Sequence, residues 1–100
     1  MLHPLAVELQ RRWRRIFKAL AAGNDVAPSQ RLRTEGIMEA LLLTGDTGEA
    51  EINQLMDDCF RECYGTDLQQ SFGADWQQFY PFPQIPAVMN RAPVYPSIGD

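Results

Sequence analysis

The clearest pattern in the chain lies in residues 52–63, which read INQLMDDCFREC. Apolar side chains recur there at intervals of three and four positions, at Ile52, Leu55, Met56, Cys59, Phe60 and Cys63. These intervals place them on one face of an α-helix, because the helix turns once in 3.6 residues. The stretch therefore predicts an amphipathic helix from about residue 49 to residue 64, ended by Gly65.

Two further helices are predicted upstream. Residues 4–21 carry apolar side chains at helical intervals, with a basic arc opposite them. Residues 28–44 contain the run from Leu41 to Leu43, whose side chains point in three directions around a helix. We therefore expect this second helix to be central and covered on more than one side. Gly36 inside it predicts the close approach of a neighbouring helix, since glycine otherwise weakens helices.

The connections on either side of the third helix have different signals. The segment Gly45-Asp46-Thr47-Gly48 is typical of a turn, and either Asp46 or Thr47 could cap the helix that follows. After Gly65 the period weakens. Residues 68–79 fit either one helix bent near Gly73 or two short helices, the second beginning at Asp75.

The last twenty residues differ from the rest, because they hold five of the seven prolines. Proline excludes regular helix over most of this span. The span has too many apolar side chains to remain solvated, so we expect an extended strap that packs on the helices or on a partner. The sequence thus predicts an all-α fold: residues 1–80 form a small bundle of three to four helices, with an extended proline-rich C-terminal strap over residues 81–100.

Length and apolar content limit the classes of protein to which the chain can belong. One hundred residues, 45% of them apolar, suffice for one domain with one core. No apolar run approaches the roughly 20 residues of a membrane span, and no secretory signal is evident. Cys59 and Cys63 lie four apart on one helical face, which favours free thiols in a reducing compartment. We expect a cytoplasmic protein without membrane contact.

Residues suited to catalysis are few. His3 is the one histidine, and both cysteines lie on an apolar stripe where they fit as small core residues. Two cysteines and one histidine do not complete a four-ligand zinc set, and no glycine pattern for phosphate binding is present. The sequence therefore predicts no catalytic residues, no metal and no cofactor.

Charge is distributed unevenly along the chain. Residues 1–33 carry a net charge of +5 and residues 34–100 one of −9, which gives the total of −4. Such asymmetry indicates either a charged partner or attraction between the two ends of the molecule. The acidic outer face of the third helix is a candidate surface for a basic partner. Its residues are Glu51, Asp57, Asp58 and Glu62, which Asp46, Glu49 and Asp67 could extend. The alternative is an ordinary solvated face.

A second candidate surface is the strap, whose Pro-x-x-Pro spacings fit a polyproline II ligand. Its candidate contact residues are Phe82, Ile85, Arg91 and Tyr95. Packing of the strap within the molecule is the competing interpretation. Self-association as a homodimer is also expected, with apolar contacts from Met38, Leu42, Leu43 and the aromatic residues of 76–82.

The alternative function is nucleic-acid binding by a transcriptional regulator through the first helix. Its cations would neutralise phosphates, and they are Arg11, Arg12, Arg14, Arg15 and Lys18. Trp13 would offer a stacking ring if exposed, but it shares a face with Leu9 and Phe17, so we expect it to be buried. The acidic third helix argues against entry into a major groove.

A compact, Arg-rich and Lys-poor chain without catalytic residues resembles, in size and character, small accessory or inhibitor proteins of phages and mobile elements, such as anti-CRISPR proteins. The resemblance covers no motif. It implies a non-enzymatic regulator or inhibitor that acts by stoichiometric contact with a protein. That is the function expected from the sequence.

Overall fold

The computed structural model describes residues 2–86. Within them the chain forms five helices and no strand, which confirms the all-α fold. The helices are α1 (Pro4–Ala21), α2 (Pro28–Thr44), α3 (Glu49–Tyr64), α4 (Leu68–Phe72) and α5 (Trp76–Phe79). The three long helices have the predicted bounds. Two residues of the predicted strap surface, Arg91 and Tyr95, lie outside the described residues.

The helix ends are fixed by local hydrogen bonds and by glycine. His3 caps α1, since its Nδ1 accepts a hydrogen bond from the Leu5 backbone N–H at 3.0 Å. Gly45 ends α2 with a φ of 80°, a left-handed conformation that glycine adopts without strain. The expected capping of α3 by Asp46 or Thr47 is wrong. Gly48 is the N-cap, and its backbone N–H donates to Glu51 Oε1 at 3.1 Å.

The core forms where α1 packs on α3. The two helices run in the same direction with residues 49 apart in sequence facing each other. Cys59 Sγ lies 3.9 Å from the Gln10 backbone oxygen, and one turn further along both helices Cys63 Sγ lies 3.9 Å from the Arg14 backbone oxygen. Phe17 of α1 meets Phe60 of α3 edge to face, with ring centroids 5.2 Å apart. α1 buries six side chains and α3 five, whereas α2 buries three.

The prediction that α2 is central is wrong. It runs antiparallel to α1 at the side of the bundle, where Leu43 is 80% exposed and Leu32 61% exposed. Gly36 does not mark a close approach, because a Cβ added there would meet no atom within 4 Å. The physical reason is that the broad apolar stripes of α1 and α3 already cover each other, which leaves α2 to pack through one face only.

After α3 the chain forms two short helices instead of one bent helix. Gly73 separates them with a φ of 101°, and Asp75 is the N-cap of α5. This confirms the alternative of two short helices, the second beginning at Asp75. Leu68 and Trp76 are buried against the core. Residues 81–86, the first part of the predicted strap, follow α5 and include Ile85, which is 1% exposed.

The start of the strap is held against α2. The Ile85 backbone N–H donates to Glu35 Oε2 at 2.8 Å, and Pro86 is buried beside it. No helix of the described part combines the length and apolar character that crossing a bilayer requires.

The open space at Gly36 predicts that alanine stabilises the fold. Gly36→Ala should raise the free energy of unfolding by about 0.5–1 kcal/mol, because alanine favours the helix and restricts the unfolded chain. Gly45→Ala serves as control and should lower stability, since its φ of 80° strains an L-residue. Urea denaturation measures both, and a loss of stability in Gly36→Ala would contradict the peripheral position of α2.

Candidate functional site

The acidic residues of α3 divide between two sides of the helix. Glu51, Asp58 and Glu62 are spaced by seven and four and share one exposed stripe. Asp57 lies on another flank, where its Oδ1 accepts a hydrogen bond from the Leu68 backbone N–H at 2.8 Å. The structure therefore brings three of the four predicted residues together and directs the fourth toward α4.

Each carboxylate of the shared stripe already has a neighbour within the chain. Asp58 Oδ1 accepts a hydrogen bond from the Gln54 amide at 3.0 Å, and Glu51 closes the N-terminus of α3. Glu62 binds the Arg14 guanidinium with Nε–Oε2 at 2.8 Å, and this hydrogen bond lowers the pKa of the Glu62 carboxyl. The stripe is thus partly neutralised by α1.

The cations of α1 are also partly paired. Glu8 accepts hydrogen bonds from Arg11 and from Arg12, the latter with Nε–Oε2 at 2.7 Å. These bonds lower the pKa of Glu8 to about 2. With Arg14 bound to Glu62, only Arg15 and Lys18 of the five predicted nucleic-acid contacts have no ion-pair partner among residues 2–86.

Trp13 is fully buried, as predicted, so it offers no stacking surface. The two thiols lie at the seam between α1 and α3. Burial raises the pKa of the Cys59 thiol to about 11, against a smaller opposing effect of the Arg14 guanidinium, and burial also raises the pKa of Cys63. Both are therefore protonated at neutral pH and poor nucleophiles. Within the described part of the chain, no group of three His, Cys, Asp or Glu residues could hold a metal ion.

Some of the strap residues and of the predicted apolar contact residues are buried, and others are exposed. Ile85 is buried in the core, and Phe82 is half-buried against it. Among the residues expected to support self-association, Met38 is buried, whereas Leu43 and Phe79 are exposed. Self-association stays a prediction.

A concave surface rich in carboxylates lies between α3, α4 and α5, and we call it the acidic cleft. It has a volume of about 420 Å³, and the residues that define it here are Glu49, Asn53, Asp57, Asp67 and Trp76. The first three follow one another at intervals of four along one flank of α3. Asp67 is the N-cap of α4. Gly73 ends α4, and the turn that follows places Trp76, the first residue of α5, on the same side.

The acidic cleft carries an excess of negative charge. It has three carboxylates, and one guanidinium lies near it: Arg61 Nη2 is 3.7 Å from Asp57 Oδ2 and 4.0 Å from Asp67 Oδ2. Asp57 and Asp67 also accept backbone hydrogen bonds at α4, whereas Glu49 is exposed and has no ion-pair partner in residues 2–86. The arrangement can attract and bind a cationic group.

A larger hollow of about 560 Å³ lies between the N-terminal ends of α1 and α3. Its polar side chains include His3 and Glu51, which cap the two helices, and Asp46, whose Oδ2 is 3.9 Å from His3 Nε2. The hollow holds a histidine beside its two carboxylates, whereas the acidic cleft holds three carboxylates, and Glu49 among them has no ion-pair partner in residues 2–86. The acidic cleft is therefore the better candidate site for a charged ligand.

Two residues of the acidic cleft were not predicted from the sequence to line a binding cleft. Asn53 is the one polar side chain on the buried flank of α3, and Trp76 was expected to supply apolar contact only. The available signal was the spacing of Glu49, Asn53 and Asp57, which puts three polar side chains on one flank beside the apolar stripe.

Comparisons with known proteins found no match for this chain. No model of a known protein family matches the chain, and searches of curated proteins and of solved structures found no similar protein. The candidate function follows from the chemistry of the acidic cleft.

The pairing of Glu8 predicts how its carboxyl titrates. Its pKa of about 2 should return toward the ordinary 4.5 in the double variant Arg11→Ala, Arg12→Ala, whereas Arg33→Ala should leave it unchanged. Because the folded-state pKa is depressed, the pairing stabilises the fold above the unfolded pKa, and this contribution is lost as pH falls from about 4.5 to about 2. Carbon-13 NMR of the Glu8 carboxyl measures the pKa, and a wild-type value near 4.5 would contradict the pairing.

Proposed function

We propose that this chain is a non-enzymatic protein-binding domain that acts by stoichiometric contact, and that the acidic cleft receives a basic segment of its partner. The observation that supports this proposal is the convergence of Glu49, Asp57 and Asp67 on one concave surface, near which Arg61 is the one cation paired with them among residues 2–86. Complementary charge of this kind guides association and selects partners.

Several features favour binding over catalysis. Nucleophilic catalysis needs a thiolate or an activated base, and burial holds the pKa of Cys59 at about 11. His3 is engaged in capping α1 through Nδ1. The carboxylates Asp57 and Asp67 accept hydrogen bonds from the backbone of α4, which suits fixed acceptors of a binding surface.

A protein partner is favoured over nucleic acid. The acidic cleft would repel a phosphate backbone, and Arg11, Arg12 and Arg14 already bind carboxylates of this chain. A regulatory or inhibitory role in the cytoplasm is part of the proposal. It is supported by the free thiols of Cys59 and Cys63, which fit a reducing compartment.

The proposal is tested with three fluorescent peptides of equal length: lysine- and arginine-rich, acidic, and glycine-serine. Anisotropy at low salt should show one-to-one binding of the basic peptide alone, weakening as salt rises because exposed charges are screened. Glu49→Lys should reduce the affinity by about five- to tenfold, since it reverses a charge at the cleft.

Glu39→Lys is the matched control, because Glu39 is an exposed carboxylate on α2 outside the cleft. It makes the same change in net charge and should leave the affinity nearly unaltered. Far-UV circular dichroism establishes that both variants remain helical. Failure of every basic peptide to bind at low salt would refute the proposal, as would equal losses in the two variants.

A further inference from the structure

Asn53 is an unusual residue for its position. It is only 9% exposed, and it lies on α3 where it lines the acidic cleft. Seven other side chains of α3 make hydrogen bonds, and they are Glu51, Gln54, Asp57, Asp58, Cys59, Glu62 and Cys63. The Asn53 amide makes none to any described residue. The fully buried side-chain atoms without a partner among the described residues are Trp13 Nε1 and Arg31 Nε, and the Asn53 amide is not one of them. The amide lines the open cleft, where its donors and its acceptor are available to a ligand.

The charged groups that line the cleft are all hydrogen-bond acceptors, and they lie beside the amides of Gln54, Gln69 and Gln77, which both donate and accept. The carboxylates of Glu49, Asp57 and Asp67 only accept, and the Asn53 amide oxygen adds a further acceptor. They belong to two helices and reach the cleft from more than one wall. A complementary ligand therefore carries positive charge and donates hydrogen bonds in several directions. A guanidinium meets this requirement with five N–H donors in one plane, whereas an ammonium is a compact point charge with three.

The chain's own Arg61 shows that these carboxylates leave room for such a ligand. Its guanidinium lies 3.7 Å from Asp57 Oδ2 and 4.0 Å from Asp67 Oδ2. Both distances exceed those of a hydrogen bond, so neither carboxylate oxygen is occupied by Arg61. The attraction is electrostatic, and both oxygens can accept from a second donor.

The low exposure of Trp76 argues against a sugar as the ligand of the cleft. Sugars stack on the open face of an aromatic ring, but Trp76 is only 8% exposed. Trp76 lines the cleft, and arginine places its methylene stem against apolar surface while its charged end binds elsewhere.

We propose that the acidic cleft is a binding site for an arginine side chain of the partner. The guanidinium donates to Asn53 and Glu49 within the field of Asp57 and Asp67, and the methylene stem contacts Trp76. This inference rests on the proposed function and narrows it, since it replaces a general preference for basic segments by selection of arginine.

The test uses three blocked pentapeptides, Gly-Gly-X-Gly-Gly, in which X is arginine, lysine or citrulline. Citrulline keeps the shape of arginine and lacks its charge. Titration followed by nitrogen-15 NMR should shift the Asn53 side-chain amide and the Trp76 indole signals. The arginine peptide should bind about threefold or more tighter than the lysine peptide and about tenfold or more tighter than the citrulline peptide.

Two variants locate the site. Glu49→Gln should weaken binding of the arginine peptide by about threefold or more, because it removes the cleft carboxylate that has no partner among residues 2–86. Glu39→Gln on α2 makes the same chemical change outside the cleft and should leave the affinity unchanged.

The outcomes separate this inference from the proposed function. Equal affinity for arginine and lysine, or shifts scattered over the surface without Asn53 and Trp76, would overturn the arginine site while basic peptides still bound. Binding of citrulline as tight as that of arginine would overturn it as well, as would equivalent shifts on adding glucose. Failure of the longer basic peptide to bind would overturn the proposed function itself.

Discussion

The parallel contact between α1 and α3 is the interaction on which the remaining structure depends. Phe17 and Phe60 meet edge to face with ring centroids 5.2 Å apart, and Trp13 is fully buried in the same core. At the rim, Arg14 binds Glu62. Since both helices bury broad apolar stripes against each other, α2 is left at the side, and the flank of α3 that carries Asn53 is free for α4 and α5.

The acidic cleft is built by the same groups that give it charge. Asp57 accepts a hydrogen bond from the first residue of α4, and Asp67 caps that helix through the Gln70 backbone N–H at 2.8 Å. Leu68 and Trp76 then bury their side chains against the core. Two carboxylates thus position α4, while Glu49 at the start of α3 keeps its charge available to a ligand.

The long helices could be predicted from the sequence because their signals are local. Apolar intervals of three and four, Pro28 at a helix start, and Gly45 and Gly65 at helix ends decide those bounds without knowledge of distant contacts. The position of α2 could not be predicted in this way. The run from Leu41 to Leu43 shows that three successive side chains are apolar, but it does not show which of them contacts a neighbouring helix.

The candidate site could be predicted only in part for the same reason. Adjacent positions on a helix differ by about 100°, so Asp57 and Asp58 were bound to separate once α3 was fixed. Their destinations depend on where the chain goes after Gly65, and this depends on how Leu68 and Trp76 pack into the core. The pair of Arg14 and Glu62 likewise requires the parallel arrangement of α1 and α3.

The most direct test of this account is to measure stability and ligand affinity together in Asn53→Leu. Because the amide lines the open cleft and is not a fully buried unpartnered group, leucine should leave the free energy of unfolding within about 1 kcal/mol of the wild-type value. Affinity for the arginine peptide should fall by about threefold or more, because an acceptor is lost. A fall in stability of more than about 1 kcal/mol with unchanged affinity would show that the amide serves the fold, and would contradict the account.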